Sequence, residues 1–472
     1  MLSACLLLLT GCGTRLPHDR VVAGTGGPPT VALSPDSIDA LRAARSQPVA
    51  PPAVAGAAVG PTTIPTAPIA ATVPTARPGK NVPPVAVAAS GATAPAPAAC
   101  TGPQTPIAIG QIGTFSGVAG PLTSSSRAVM AAWAADLNAR GGLACHPVEL
   151  YSQDDGADSS RAAAEVHDLV VRHHVVAFVG SLVAFSINGF RPALEATKVP
   201  AVGGASGGVK DDFESPYLFP TGSSADDLAT GLISNAVAAG HTKLGMLYCV
   251  EVNACTEVFQ YVRDHAAKQA GAQLVYSAPI SVVQADYTAQ CLNARDAGVQ
   301  VLGLAMDGAS MIRLARSCAA VGYKPLLASS AMLITPEQAK DATLRSFGLA
   351  SATLSVPWMF TDQPGLREYH RVFSKYAPSV APDGGSIMTW AAATMFEHAI
   401  ANLGDAACTG PITSAMVMEG LGKIRHDTLG GVSGPVTFAP NQPHATSNGC
   451  VFYMTLGPTG WSAPRGTKPV CF

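Results

Sequence analysis

Gly204-Ala205-Ser206-Gly207-Gly208 follows the apolar run VPAVG (199–203) and matches G-x-S-x-G, the turn that exposes a nucleophilic serine above a sheet. That turn must lead straight into a helix. Here it leads into GVKDDFESPYLF (208–219), where a charge cluster and a proline make a poor helix start. His426 and His444 come later, but neither sits in a loop beside an acid partner. A serine hydrolase using Ser206 is kept only as an alternative, and no catalytic residue is assigned. Asp154 and Asp155 also follow a strand. Two acids without further ligands are thin support for a metal, and they are expected to cap the next helix. The chain has no P-loop, no H-E-x-x-H and no G-x-G-x-x-G at its first strand turn. Without CxxC spacing or a Cys/His cluster there is no case for zinc either. Neither cofactor nor metal is expected.

The elements around these residues alternate. Residues 175–208 read as strand (VVAFVG, 175–180), helix (FSINGFRPALEAT, 185–197) and strand (VPAVG, 199–203). Such a unit is right-handed and parallel, so its two loops open at one sheet edge. Ligands sit at that edge in open α/β sheets. Before it come a strand at 105–113, a helix at 124–142, a strand at 147–155 and a helix at 157–173; YLFPTG (217–222) closes the block. A second block follows, with strands at 243–249, 272–280, 299–306 and 324–329 and helices at 225–239, 255–270, 287–297 and 309–321. Two such blocks of similar length predict an α/β protein with two doubly wound parallel-sheet lobes. Past residue 350, SATLSVPWMF (351–360) looks like a strand. Helices are expected at 364–376, 386–403 and 411–421, and short strands at 435–440 and 450–456.

Charged residues make up 13% of the 472, with a net charge of −2, which leaves no basic surface for nucleic acid or anionic lipid. Mean hydropathy is +0.26, yet no run reaches the roughly 18 apolar residues of a membrane span. The start, MLSACLLLLTGC, ends in Leu9-Thr10-Gly11-Cys12, a lipoprotein-type signal (1–12) in which Cys12 would carry the lipid. Its basic n-region is missing, so the true start is expected further upstream. Residues 13–104 are rich in Pro, Ala, Val, Thr and Gly and are expected to form a disordered tether with a reach on the order of 50 Å. The chain has 11 cysteines. With Cys5 and Cys12 in the signal, the plausible local pairs are Cys100–Cys145, Cys249–Cys255, Cys291–Cys318 and Cys450–Cys471, leaving Cys408 over. Disulfides fit an oxidising, extracytoplasmic compartment.

The order IAIGQIGTFSGVAG, LNARGGLACHPVELYSQDDGADSSRA, the 175–208 unit and LGGVSGPVTFAP resembles the type I periplasmic-fold solute-binding proteins. Within these it is similar to the branched-chain amino acid (Leu/Ile/Val)-type receptors of ABC transporters. The resemblance covers about 105–456. It implies lobe 1 at 105–224 and 354–435, lobe 2 at 225–353 and 436–472, crossover strands between them, and a solute held in the cleft. By resemblance, the solute carboxylate would meet the loop after the third strand. There Ala184 stands where a serine is usual, beside Phe185 and Ser186, and the next loop would add Ala205, Ser206 and Gly207. In lobe 2 the family places an aromatic after the strand at 299–306 and an acid after 324–329. This chain has Asp307 and Ser330 there, and Asp307 is the candidate for an ammonium contact. Phe115 and Ser116 in the first loop, Asn253 in lobe 2 and an apolar wall including Trp358 complete the expected site. The implied function is an extracytoplasmic, lipid-anchored, monomeric receptor that delivers an amino-acid-like, amide or organic-acid solute to ABC permease subunits. A ligand sensor without a transport role is the alternative.

Overall fold

The computed structural model describes residues 100–102, 104–117, 120–205, 213, 215–438 and 446–472. The signal with Cys12, the tether up to residue 99, and Ser206 and Gly207 lie outside the described residues. Short extended segments form the first sheet, apolar in its central strands: β1 (Ile107–Gly113), β2 (Val148–Asp154), β3 (Ala177–Leu182), β4 (Ala201–Ala205) and β5 (Leu218–Phe219). Its order is β2-β1-β3-β4-β5, parallel throughout. The connecting helices are α1 (Gly120–Ala139), α2 (Ser159–Arg172) and α3 (Ile187–Thr197). α2 and α3 bury Val166, Leu169, Phe190 and Leu194 against Phe178 and Ala201 on one face.

The second block repeats the pattern. α4 (Ala225–Ala238) leads to β6 (Lys243–Cys249). α5 (Asn253–Tyr261) follows and runs on through a wider π turn at Val262–Ala266. Then come β7 (Gln273–Ile280), α6 (Thr288–Asp296), β8 (Val301–Ala305), α7 (Gly308–Ala320), β9 (Leu326–Ser330), α8 (Ala342–Phe347) and β10 (Leu349–Thr353). Strand order runs β7-β6-β8-β9-β10 and continues into antiparallel β11 (Cys450–Gly457) and β12 (Gly460–Ser462), while β13 (Val470–Cys471) pairs with β11. Each half thus has the doubly wound 2-1-3-4-5 order, with a switch point between its first and third strands.

The late helices α9 (Pro364–Tyr376), α10 (Gly384–Ala401) and α11 (Ser414–Leu421) return to the first sheet. α10 is apolar nearly all round, from Ile387 to Ile400, and such a helix must be enclosed. It lies directly on β3 and β4. A side-chain carbon at Gly203 would come within 2.3 Å of Ala392 Cβ, and one at Gly180 within 2.6 Å of Thr389 Cγ2. Trp133 of α1 covers the helix edge-on to Phe396 at 6.4 Å and donates to Glu397 at 2.6 Å. Burial pushes the Glu397 carboxyl up from its ordinary range.

The chain between the two sheets is knotted by side chains. Asn448 accepts from Ser223 Oγ (2.7 Å) and donates to Pro435 O (3.2 Å), and its own N–H bonds Gly222 O (3.0 Å). Ser355 and Ser433 form an antiparallel bridge, and Ser433 Oγ donates to Thr221 O.

Several expectations are corrected. Cys100 pairs with Cys408, 308 residues away, and Cys145 is free. The return of α10 carries Gly404–Cys408 back to the start of the first sheet, which sequence spacing cannot show. The local pairs Cys249–Cys255, Cys291–Cys318 and Cys450–Cys471 close. The strand expected at 351–360 is β10, shifted to Leu349–Thr353, because the chain leaves the sheet there to cross over. Residues 435–438 contribute only the isolated bridge from Val436 to Asp427; 439–440 lie outside the described residues. α8, β12 and β13 carry too short a pattern to be seen beforehand.

One ion pair joins α1 to the returning α9. Arg371 donates to both oxygens of Asp136 (2.9 and 2.6 Å), and Arg140 adds a bond at 2.8 Å. The Arg371 hydrogen bonds hold the Asp136 carboxyl below the usual carboxylate range, against the opposing effect of burial. A depressed folded value stabilises above the unfolded pKa of about 4 and is lost as pH falls through the folded value. Asp136→Asn should cost about 1–2 kcal/mol at pH 7, discounted for the exposure of Arg371. Urea unfolding should show this gap closing below about pH 4; a gap that persists there would assign the loss to packing instead of charge.

Candidate functional site

Register lines up the strand ends of the first sheet. Asp154 lies beside Gly113, Gly113 beside Leu182, and Leu182 beside Ala205. The loops after β1 and β3 therefore leave the sheet as neighbours at the switch point, where the side strands diverge and a crevice opens.

Two carboxylates hold this edge together. Asp154 Oδ1 accepts the N–H groups of Phe115 (2.9 Å), Ser116 (3.2 Å) and Gly156 (3.1 Å). Burial opposes its ionisation, but hydrogen bonds from Ser116 and these backbone groups prevail and keep its carboxyl below the usual range. Asp155 is fully buried. It accepts Thr114 Oγ1 (2.6 Å) from the β1 loop, Ser186 Oγ (2.6 Å) from the β3 loop, and Ala157 N (2.8 Å). Neither acid caps α2, contrary to the sequence expectation; Asp158 does, accepting from Ser160 N and Arg161 N. An Asp three residues closer to the helix has the better geometry for its free N–H groups.

The expected contact residues separate accordingly. Ser186 is fully buried with its hydroxyl committed to Asp155, so it braces the loop. Ala184 and Phe185 of that loop are exposed, as is Ser116 of the neighbouring one. Phe115 is half-buried, and the Arg127 guanidinium lies 5.6 Å from its ring centre, close enough for a cation–π contact. Nothing in the sequence singled out Arg127. Ala205 ends β4. The G-x-S-x-G match can be followed only to this strand end, since Ser206 lies outside the described residues.

In the second half, the ends of β6, β8 and β9 form the matching edge. Asp307 caps α7, accepting Ala309 N (2.9 Å), Ser310 N (3.1 Å) and Ser310 Oγ (2.5 Å). Ser330 caps the following short turn through Met332 N at 3.3 Å. Asn253 opens α5 and is exposed. Between them, Glu251 accepts Ser281 Oγ (2.5 Å) and Val282 N (3.0 Å), tying the β6 loop to the β7 loop as Asp155 ties β1 to β3. Val250, beside it, is 60% exposed. Trp358, expected on the apolar wall, belongs to a buried apolar cluster. It is buried and packs edge-on against Trp461 at 6.0 Å, joining the late chain to β12. Among the described residues no His/Cys/Asp/Glu group could hold a metal ion.

Two doubly wound halves of the same strand order are the frame of a two-lobed binding protein, and the family comparison decides it. A model described as periplasmic binding protein matches residues 106–459. The chain belongs to this family. The periplasmic binding protein fold extends to solved structures at low identity. A possible leucine/isoleucine/valine-binding protein from Rhodopirellula baltica SH 1 has a TM-score of 0.66 at 18% identity, covering 76% of this chain and 96% of that one. A fatty acid ABC transporter substrate-binding protein from Thermomonospora curvata gives 0.65 at 19%, covering 78% and 92%. A solute-binding protein of an ABC transporter from R. palustris, in complex with benzoate, gives 0.62 at 12%, covering 78% and 98%. No curated protein matches the sequence. As a periplasmic binding protein the chain binds a solute and is not an enzyme, and the family implies an extracytoplasmic location. The hydrolase alternative is set aside on this ground.

Asp155→Ala removes the acceptor of two buried hydroxyls at once. It should cost about 3 kcal/mol, while Ser186→Ala should cost about 1 kcal/mol. Chemical unfolding of both variants measures this. Equal losses would show that the β1 and β3 loops do not share the Asp155 strut.

Proposed function

We propose that this periplasmic binding protein is the solute receptor of an ABC importer and that it captures a small amino-acid-like, amide or organic-acid ligand between its two strand-end edges. The observation that supports this most directly is the pair of 2-1-3-4-5 sheets, the first with its switch point braced by Asp155 and the second with its β6 and β7 loops tied by Glu251. Lobe 1 would comprise 105–224 and 354–435, and lobe 2 would comprise 225–353 and 436–472. The hinge would then pass through the Ser223–Asn448 and Ser355–Ser433 contacts. Ligand touching both edges favours the closed state by its differential affinity. Lipid attached at Cys12 would anchor the chain to the membrane, and the tether would let a monomeric lobe pair reach the permease subunits.

The same geometry bears on the ligand. Asp307 spends its oxygens on the α7 cap, and Ser330 replaces the acid usual in amino acid receptors. An α-ammonium group therefore has weak support at these two positions. Phe185 and Val250 offer apolar surface, and Arg127 over Phe115 offers a positive charge, features suited to an acid or amide with an apolar body.

A thermal-shift screen against amino acids, amides, aromatic and aliphatic acids, sugars and polyamines tests the proposal. A true ligand at 100 times its Kd adds about 2.7 kcal/mol and raises Tm by several degrees. Asp307→Ala should lose about 1 kcal/mol of stability with its cap and leave binding in place. Silence across all classes would sink the receptor reading.

A further inference from the structure

Three cysteines meet where the chain enters the first sheet. Cys100 is bonded to Cys408, with Cα atoms 5.3 Å apart. Cys145 keeps a half-buried free thiol, and its Sγ lies 3.3 Å from the carbonyl oxygen of Cys100. The thiol is held in place by a tight turn. Leu143 and His146 exchange backbone hydrogen bonds of 2.9 and 2.8 Å, and the two residues between them, Ala144 and Cys145, have φ of 46° and 62°. That is the left-handed turn normally given to Asn-Gly. Gln104 N donates to Cys145 O at 2.9 Å. The fully buried His146 ring stands between Thr105 O (2.5 Å) and Ala407 O (2.7 Å). One turn therefore grips the chain just after Cys100 and the residue before Cys408, and it carries the third sulfur on its tip.

We propose that Cys100, Cys145 and Cys408 form an exchangeable set, with Cys145 the resident nucleophile for the Cys100–Cys408 bond. The Cys145 thiolate attacks Cys100 Sγ. The Cys100–Cys145 bond forms, the Cys100–Cys408 bond breaks, and Cys408 leaves as a thiolate that takes up the proton Cys145 has lost. One disulfide and one thiol are present before and after, so no oxidant or reductant is consumed.

The chain order gives the exchange a use. Cys100 and Cys145 are 45 residues apart, whereas Cys100 and Cys408 are 308 apart, and a shorter loop closes at lower entropic cost. In a chain that emerges N-terminus first, Cys145 holds Cys100 until α10 has docked and delivers Cys408. The folded protein keeps the route open in reverse, so one half-buried thiol, at Cys145 or at Cys408, is always present.

The test uses the full chain, oxidised and then incubated with a catalytic amount of reduced glutathione. Thiols are blocked at acid pH, and disulfides are mapped by mass spectrometry of unreduced peptides. The expected result is a Cys100–Cys145 peptide alongside Cys100–Cys408, with matching alkylation at Cys408. Cys145→Ser should abolish that alkylation, which separates exchange from plain reduction by glutathione. Cys408→Ser should convert Cys100 wholly to Cys100–Cys145. Absence of the Cys100–Cys145 peptide from the wild-type map would overturn the proposal, and so would Cys408 alkylation undiminished in Cys145→Ser. The wild-type map decides by itself if Cys408→Ser does not fold.

Discussion

The contact on which the rest of the molecule depends is α10 lying on β3 and β4. A helix apolar nearly all round cannot remain at a surface, and the first sheet offers it a bed. Gly180 and Gly203 remove the side chains that would hold it off, and Trp133 closes over it from α1. The chain reaches α10 only after building β6 to β10 of the second sheet. Burying the helix therefore obliges it to leave that sheet after β10, cross back, and later cross again to supply β11. The two-part arrangement, the Asn448 knot between the parts and the long Cys100–Cys408 bond are all consequences of that one burial.

The carboxylates at the strand ends show how such a frame is made firm enough to serve a ligand. Asp154 holds the β1 loop through backbone N–H groups, Asp155 joins the β1 and β3 loops through two hydroxyls, and Glu251 holds the β7 loop through a hydroxyl and a backbone N–H. A buried carboxylate is tolerable only with its lone pairs filled, as those of Asp155 are, and the bonds of all three acids make them structural parts of the edge. The exposed residues between them, Ala184, Phe185 and Val250, are mostly apolar.

Legibility followed the range of the interaction. The alternation of apolar runs and helical stretches located β1 to β4 and β6 to β9 within a residue or two, because a central parallel strand buried on both faces, such as β3 or β8, must be apolar along its length. The candidate site was legible as an edge but not as a set of contacts. Ser186 has the type and place of a ligand residue, and only its 2.6 Å bond to Asp155 shows that its hydroxyl is occupied. Asp307 reads equally well as a cap or as a counter-ion until Ala309 N and Ser310 N are seen beside it. Arg127 carries no motif at all.

By itself the sequence determined the two doubly wound blocks, the edge on which a solute would sit, and the three short-range disulfides, since each follows from local periodicity or from cysteines a few turns apart. Only the tertiary structure decided which strand ends stand side by side, which acids are struts, that Trp358 belongs to the core, and that Cys408 rather than Cys145 holds Cys100. Those outcomes depend on where α10 comes to rest, and a helix apolar nearly all round carries nothing in its own pattern to say which sheet it will cover.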